Sequence, residues 1–260
     1  MARLDDERLI GASTPQPRFE PPGRRELAEE VVIVLSLSLL YSAVLAVINL
    51  LQAPVAGVTT IVYPQVDLAT EITDIVFGLA PVALVVYLMR RGREGLASIG
   101  LGTARIAQDV GWGAVAGLGV AAVGLSIYFG AVALKINRFV VPVPPLGHWW
   151  TVPVLLLGSA QFALLEEVLV VGYLIHRLEQ LGWKGLAPVA ASAALRGTYH
   201  LYQGWGGFTG NLLLGLAFGF AFRRWRRTWP LVVAHFMVDS LAGIGYIVYR
   251  GHCFFGTCLR

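Results

Sequence analysis

Charge is what this chain of 260 residues has least of, with Asp, Glu, Lys and Arg together making up 14%, against about 25% in an ordinary soluble domain. Coiled coils, disordered charged segments and nucleic-acid-binding surfaces all need more, so composition excludes those classes and nucleic acid as a partner. Cysteine is equally scarce. Cys253 and Cys258 are the two present, too few for a disulfide-stapled scaffold; their spacing allows one small terminal disulfide loop or two separate thiols. An HExxH pair is absent, no Gly-rich run is followed by a phosphate-binding Lys, and no internal repeat stands out.

What is abundant is apolar sequence, at 56% of residues, and it is arranged in long runs. These fall at 31–52, 72–89, 110–134, 151–175, 186–203, 207–222 and 229–249, mostly near the roughly 20 residues a bilayer-crossing helix needs. The expected fold is an all-α, polytopic transmembrane helix bundle of about seven spans. Basic residues orient it: alternate loops hold Arg24, Arg25, Arg90, Arg91, Arg93, Arg105, Arg177, Lys184 and Arg223 to Arg227 on one side, and only Lys135, Arg138, Arg250 and Arg260 on the other. By the positive-inside rule the N-terminus is cytoplasmic and the C-terminus outside.

Five segments follow: a polar cytoplasmic tail (1–29), accessory transmembrane helices (30–134), a Pro/Trp-rich interfacial loop (135–150), a polar-cored transmembrane unit (151–250) and a short tail (251–260). Pro142, Pro144 and Pro145 bar a regular helix from VPVPPLGHWW, where an eighth, re-entrant segment could lie. The glycine runs around 111–130 and 207–219 place small residues about one helical turn apart, which lets membrane helices approach closely. Trp149, Trp150, Trp183, Trp205, Trp225 and Trp229 read as headgroup-level anchors.

The informative residues are ionisable groups inside apolar spans: Glu166, Glu167, Arg196, His200, His235 and Asp239. Each costs roughly 2.5–3.5 kcal/mol at the bilayer centre, so they must pair or line a wet cavity. Arg196 and His200 are four apart, as are His235 and Asp239, which puts each pair on one helix face. Adjacent Glu166 and Glu167 point about 100° apart, so one can face a cavity while the other supports it. At about 1.5 Å per residue from the cytoplasmic ends, His235 lies ~10 Å deep, Glu166 ~16 Å and His200 ~22 Å.

LLEEVLVVGYL, LRGTYHLYQG and AHFMVD resemble the three motifs of the CPBP intramembrane protease family, which includes the type II CAAX prenyl proteases and the bacteriocin-processing and self-immunity proteins. The resemblance covers about residues 150–250. It implies a metallo- or glutamate-type intramembrane endopeptidase with Glu166, His200 and His235 catalytic and Glu167 and Asp239 in support. The implied substrate is a peptide or membrane protein in the lipid bilayer, and the implied setting a bacterial plasma membrane.

Two positions depart from the family pattern. Val171 stands where the first motif has Arg, and Arg196 where the second has an aromatic residue. The guanidinium is thus expected to have moved from one helix to the next, where it can still pair with Glu167, since a buried carboxylate needs such a partner. A decayed, catalytically silent relative is the competing reading.

The chemistry follows from the residue types. A desolvated Glu166 can act as general base on a water. His200 and His235 can donate to a developing oxyanion, or join Glu166 in binding a divalent metal, zinc foremost. Asp239 would orient the His235 ring. Tyr199, Tyr202 and Gln203 adjoin the second motif and could line the pocket. Any one of these groups alone is more simply an interhelical hydrogen bond. A membrane scaffold or immunity-type protein and a proton-coupled transporter remain the alternative functions, and convergence on one cavity, rather than a string along a pore, is what separates hydrolysis from transport.

Overall fold

The computed structural model describes residues 22–52, 68–134, 146–250, 253–254 and 257–258. The tail before residue 22, the Pro-rich stretch at 135–145 and the side chains of the two cysteines lie outside the described residues. Ten α-helices follow in order: α1 Arg24–Ser36, α2 Leu39–Gln52, α3 Leu68–Gly78, α4 Ala80–Arg91, α5 Ile106–Ala133, α6 Thr151–Glu166, α7 Leu174–Gln180, α8 Ala187–Tyr199, α9 Trp205–Trp225 and α10 Trp229–Tyr249. Among the described residues the one sheet is a two-residue antiparallel pair that sets Cys253 opposite Cys258.

The all-α, polytopic expectation is borne out, and the protein is an integral membrane protein. Five stretches are long and apolar enough to cross a bilayer: Leu68–Arg91, Ile106–Ile127, Thr151–Gln180, Trp205–Trp225 and Trp229–Tyr249. The first apolar run adds a sixth if α1 and α2 form one span bent by 58°. At that bend the Ser38 hydroxyl donates to the Val34 carbonyl at 2.8 Å, a local bond of the kind that bends helices. The run at 186–203 becomes α8, whose 13 residues reach only about 20 Å. It ends at His200 before it can cross alone, and after a short 3-10 turn Gly204, with φ of 98°, starts α9.

Several helix ends were readable in the sequence. Pro81, Pro188 and Pro230 sit in the first turns of α4, α8 and α10, where a missing N–H costs nothing. Helix α1 begins at Arg24, inside the segment read as a polar tail, because the Glu26 carboxylate accepts from the Gly23 N–H at 2.9 Å and closes the first turn.

Packing is set by two glycine pairs. A Cβ at Gly113 or Gly117 of α5 would meet Val233, Ala234 or Met237 of α10, and one at Gly215 or Gly219 of α9 would meet Ala193 or Val189 of α8, at 2.6–3.1 Å. These small-xxx-small faces bring α5 onto α10 and α8 onto α9 at backbone distance.

The centre of the bundle is a single rod, Thr151–Gln180, in which a π-helical segment, Glu167–Tyr173, joins α6 to α7. The rod's apolar window is 67% buried, against 11% for Leu68–Arg91 and Ile106–Ile127, so the other helices wrap around it. Its Gln180 end is fastened by charge. Arg177, fully buried, pairs with Glu94 and lies 3.2 Å from Glu30. His176 donates to Glu94 at 2.7 Å and Gln180 donates to it at 2.9 Å. Burial pushes the Glu94 carboxyl upward, but the bonds from His176 and Arg177 outweigh it and hold the group below the usual carboxylate range. Nearby, Arg223 and Arg226 pair with Glu179, and Arg227 pairs with Asp109 of α5. Three of the four arginines in RRWRR are therefore fastened to protein.

Candidate active site

Glu166 closes α6 and Glu167 opens the π segment. A π-helix takes an extra residue per turn and so changes which side chains share a face, and here that change starts between the two carboxylates. Glu167 is fully buried and Glu166 is 7% exposed. Both look toward α8, which Gly215 and Gly219 hold against α9.

From α8 comes Arg196, which is 1% exposed. Its Nη1 donates to Glu167 Oε1 at 2.6 Å, and its Nη2 lies 3.3 Å from Glu166 Oε2. The guanidinium stacks 5.6 Å over the Phe218 ring of α9. One cation therefore bridges both carboxylates. Val171, at the position where the resembling family carries its Arg, lies in the apolar cluster that also contains Phe218.

His235 of α10 completes the cluster. Its Nδ1 is 2.8 Å from Glu167 Oε1 and 3.3 Å from Arg196 Nη2; it can donate to the first or accept from the second, not both at once. On the other side of the ring, Nε2 lies 3.3 Å from Asp239 Oδ2. The Asp239 side chain is 38% exposed, and an acid that open within a span must face a wet groove or the cluster itself. The His235 end is thus the cluster's open side.

His200 caps α8 and is half-buried. Its Nδ1 lies 3.0 Å from the Arg196 carbonyl. A carbonyl only accepts, so Nδ1 carries the hydrogen and the lone pair of a neutral ring sits on Nε2. His200 joins the cluster through the Arg196 backbone and the Tyr199 ring, 4.8 Å away, and makes no hydrogen bond to Glu166 or His235 among the described residues. Tyr199 is the residue whose importance sequence reasoning underrated. Buried at 5%, its hydroxyl donates to Glu166 Oε2 at 2.8 Å. Adjacency to His200 was the one signal available for it.

Could this cluster hold a metal? Glu166, Glu167 and His235 bring one ligand atom each within 4.8 Å of one another, a carboxylate and imidazole set that suits zinc by chemistry. His200, which the sequence reading put among the ligands, stands outside that group. Yet Arg196 already touches all three members, at 3.3, 2.6 and 3.3 Å. A guanidinium cannot ligate, and a divalent ion placed among the same atoms would sit against a fixed positive charge. With Arg196 in position the cluster does not fit a metal.

Residues 148–241 match the family model described as type II CAAX prenyl endopeptidase Rce1-like. The match spans little more than a third of the chain and contains Glu166, Glu167, Arg196, Tyr199, His200, His235 and Asp239. No curated protein and no solved structure matches the chain. The CPBP and CAAX protease resemblance carried by the three motifs is thereby borne out over those residues, and at family level it supports a membrane-embedded CAAX-type endopeptidase, a hydrolase.

Proposed function

We propose that the chain is an intramembrane endopeptidase that hydrolyses a peptide bond with a water activated by Glu166, without a metal. The observation that carries this reading is the unequal treatment of the two carboxylates. Glu167 is fully buried, with Oε1 shared by Arg196 and His235, so it is a fixed counter-charge. Glu166 is held on Oε2 alone, by the Tyr199 hydroxyl at 2.8 Å and by Arg196 at the longer 3.3 Å. Its Oε1 is the oxygen left for a water.

The water gives its proton to Glu166 as its oxygen attacks the scissile carbonyl carbon, and the Nε2 lone pair of His200 accepts the water's second hydrogen to orient it. Charge then develops on the carbonyl oxygen. The His235 Nε2–H, held only by the 3.3 Å contact to Asp239, is the donor free to turn to that oxygen, with the Arg196 charge close behind it. When the C–N bond breaks, the proton on Glu166 passes to the leaving amine, and the carboxylate is regenerated. Convergence of these groups in one cluster supports hydrolysis over a proton relay, which would string them along a path. The cytoplasmic N-terminus, and a bacterial plasma membrane as the setting, belong to this reading.

The test is direct. Wild type and Glu166→Gln, purified in detergent, would be incubated with internally quenched farnesylated and unmodified peptides, and the products read by mass spectrometry. Cleavage by wild type alone is expected. Equal cleavage by both proteins, or none by a folded wild type on any peptide, would put the scaffold reading in its place.

A further inference from the structure

We infer that Arg196 is the resident cation of a latent metal site: it excludes divalent metal from the wild-type chain, and its neutralisation opens a zinc site made of Glu166, Glu167 and His235. Two independent observations carry this. The first is occupancy, since the guanidinium contacts each of the three groups that could ligate, at 2.6 and 3.3 Å. The second is an unused ligand atom: Glu167 Oε2 is buried and has no hydrogen-bond partner among the described residues. Arg196 answers the charge of the cluster but leaves that lone pair unmatched, as a fork pressed on one carboxylate oxygen must.

Removing the guanidinium would leave two carboxylates and an imidazole within 4.8 Å of one another with no cation between them. That is the charge and donor set a zinc ion takes, with a water in the fourth position. The stem can be lost without a large steric penalty, because Gly215 and the Phe218 ring border it and an apolar chain can rest on both. The inference concerns metal binding and stands whether or not the cluster hydrolyses a peptide.

The experiment measures bound zinc and leaves activity aside. Wild type, Arg196→Ala and Arg196→Met are purified after chelator treatment, dialysed against micromolar zinc and assayed for metal per chain, each beside the same protein carrying Glu167→Gln to subtract zinc held elsewhere, such as at the tail cysteines. Wild type is expected to show no zinc that depends on Glu167. Each neutral variant is expected to gain about one equivalent that Glu167→Gln or His235→Ala removes, and zinc should raise its melting temperature. Cobalt in place of zinc should give the visible absorption of a four-coordinate nitrogen and oxygen site in the variants alone. Glu167-dependent zinc in wild type would overturn the inference, and so would a folded neutral variant that binds none. If neither variant inserts, the wild-type titration decides by itself, because the inference requires that chain to bind no zinc at Glu167.

Discussion

Two buried arginines divide this protein's chemistry between them, and they are built from the same kit. Arg177 sits between Glu30 and Glu94, with His176 on Glu94; Arg196 sits between Glu166 and Glu167, with His235 on Glu167. The guanidinium is shielded equally in both, at 0% and 1% side-chain exposure, but the acids are not. Glu30 and Glu94 are 25% and 19% exposed, whereas Glu166 and Glu167 are 9% and 0%. At the Gln180 end of the rod, water shares the load and a further amide, Gln180, completes Glu94. In mid-bundle the further donor is the Tyr199 hydroxyl on Glu166, and Glu167 keeps an oxygen without a hydrogen-bond partner among the described residues. A residue set that makes a clamp where water reaches it makes a costlier cluster where water does not, since the same Coulomb attraction acts against a larger desolvation penalty.

The largest effect that would break the symmetry of the two clusters is on catalysis. Glu166→Gln should reduce peptide cleavage by about 10²–10⁴-fold, the range general-base catalysis contributes. Glu94→Gln should leave the rate within a few-fold. If the two substitutions slow cleavage alike, the mid-bundle cluster has no special claim to the chemistry.

Stability should also separate them. Arg196→Leu leaves Glu167 unpaired and dry, at a cost of roughly 3–5 kcal/mol. Arg177→Leu leaves acids that water can reach, which lowers the cost to about 1 kcal/mol. Urea titration of detergent-solubilised protein, followed by tryptophan fluorescence, would rank the two. Because Val171 lies in the apolar cluster that contains Phe218, the ring over which Arg196 stacks, the double variant Val171→Arg with Arg196→Phe should regain more than half of the loss; an additive or worse result would show that the guanidinium cannot reach Glu167 from the rod.

Next in size comes Tyr199→Phe, which deletes the 2.8 Å bond to Glu166 and nothing else of bulk. About a tenfold fall in kcat is expected, with KM little changed, as befits loss of one hydrogen bond to a charged group. A rate within about two-fold of wild type would make Tyr199 a packing residue.

The sequence made these clusters legible to different degrees. Glu166, Glu167, Arg196, His235 and Asp239 announced themselves because a charge inside an apolar run has to be explained, and four-residue spacing showed which could share a face. The Arg177 cluster was invisible for the opposite reason: Arg177 and His176 stand at the end of a run, where a basic residue reads as a topology signal or an interfacial group, and Glu30 and Glu94 lie more than 80 residues away. Nor could hydropathy show that the helix in the run at 186–203 stops at Tyr199, since the stop is a change of backbone conformation at His200 followed by a short 3-10 turn. The π segment left no mark either. Within it Gly172 lies close under the Ile99 carbonyl and Thr228, and such tertiary fits have no local pattern in the sequence.

The smallest expected effect sharpens the comparison from the clamp's side. Glu94 is held below its ordinary value by His176 and Arg177, against the upward push of burial. A carboxylate lowered on folding adds stability that is fully present above its unfolded value, near 4.3, and is lost as the pH falls through the lowered folded value. The clamp should therefore hold from neutral pH down to about pH 4–5 and loosen below that. Because Glu94 keeps contact with water, the effect should be a shift of a few degrees in melting temperature and no more. Melting curves taken across that range should show the decline in wild type and a flatter profile in Glu94→Gln, with cleavage at neutral pH nearly unchanged. An identical decline in both proteins would assign the acid sensitivity to other carboxylates and leave the Arg177 clamp held by Glu30 and packing alone.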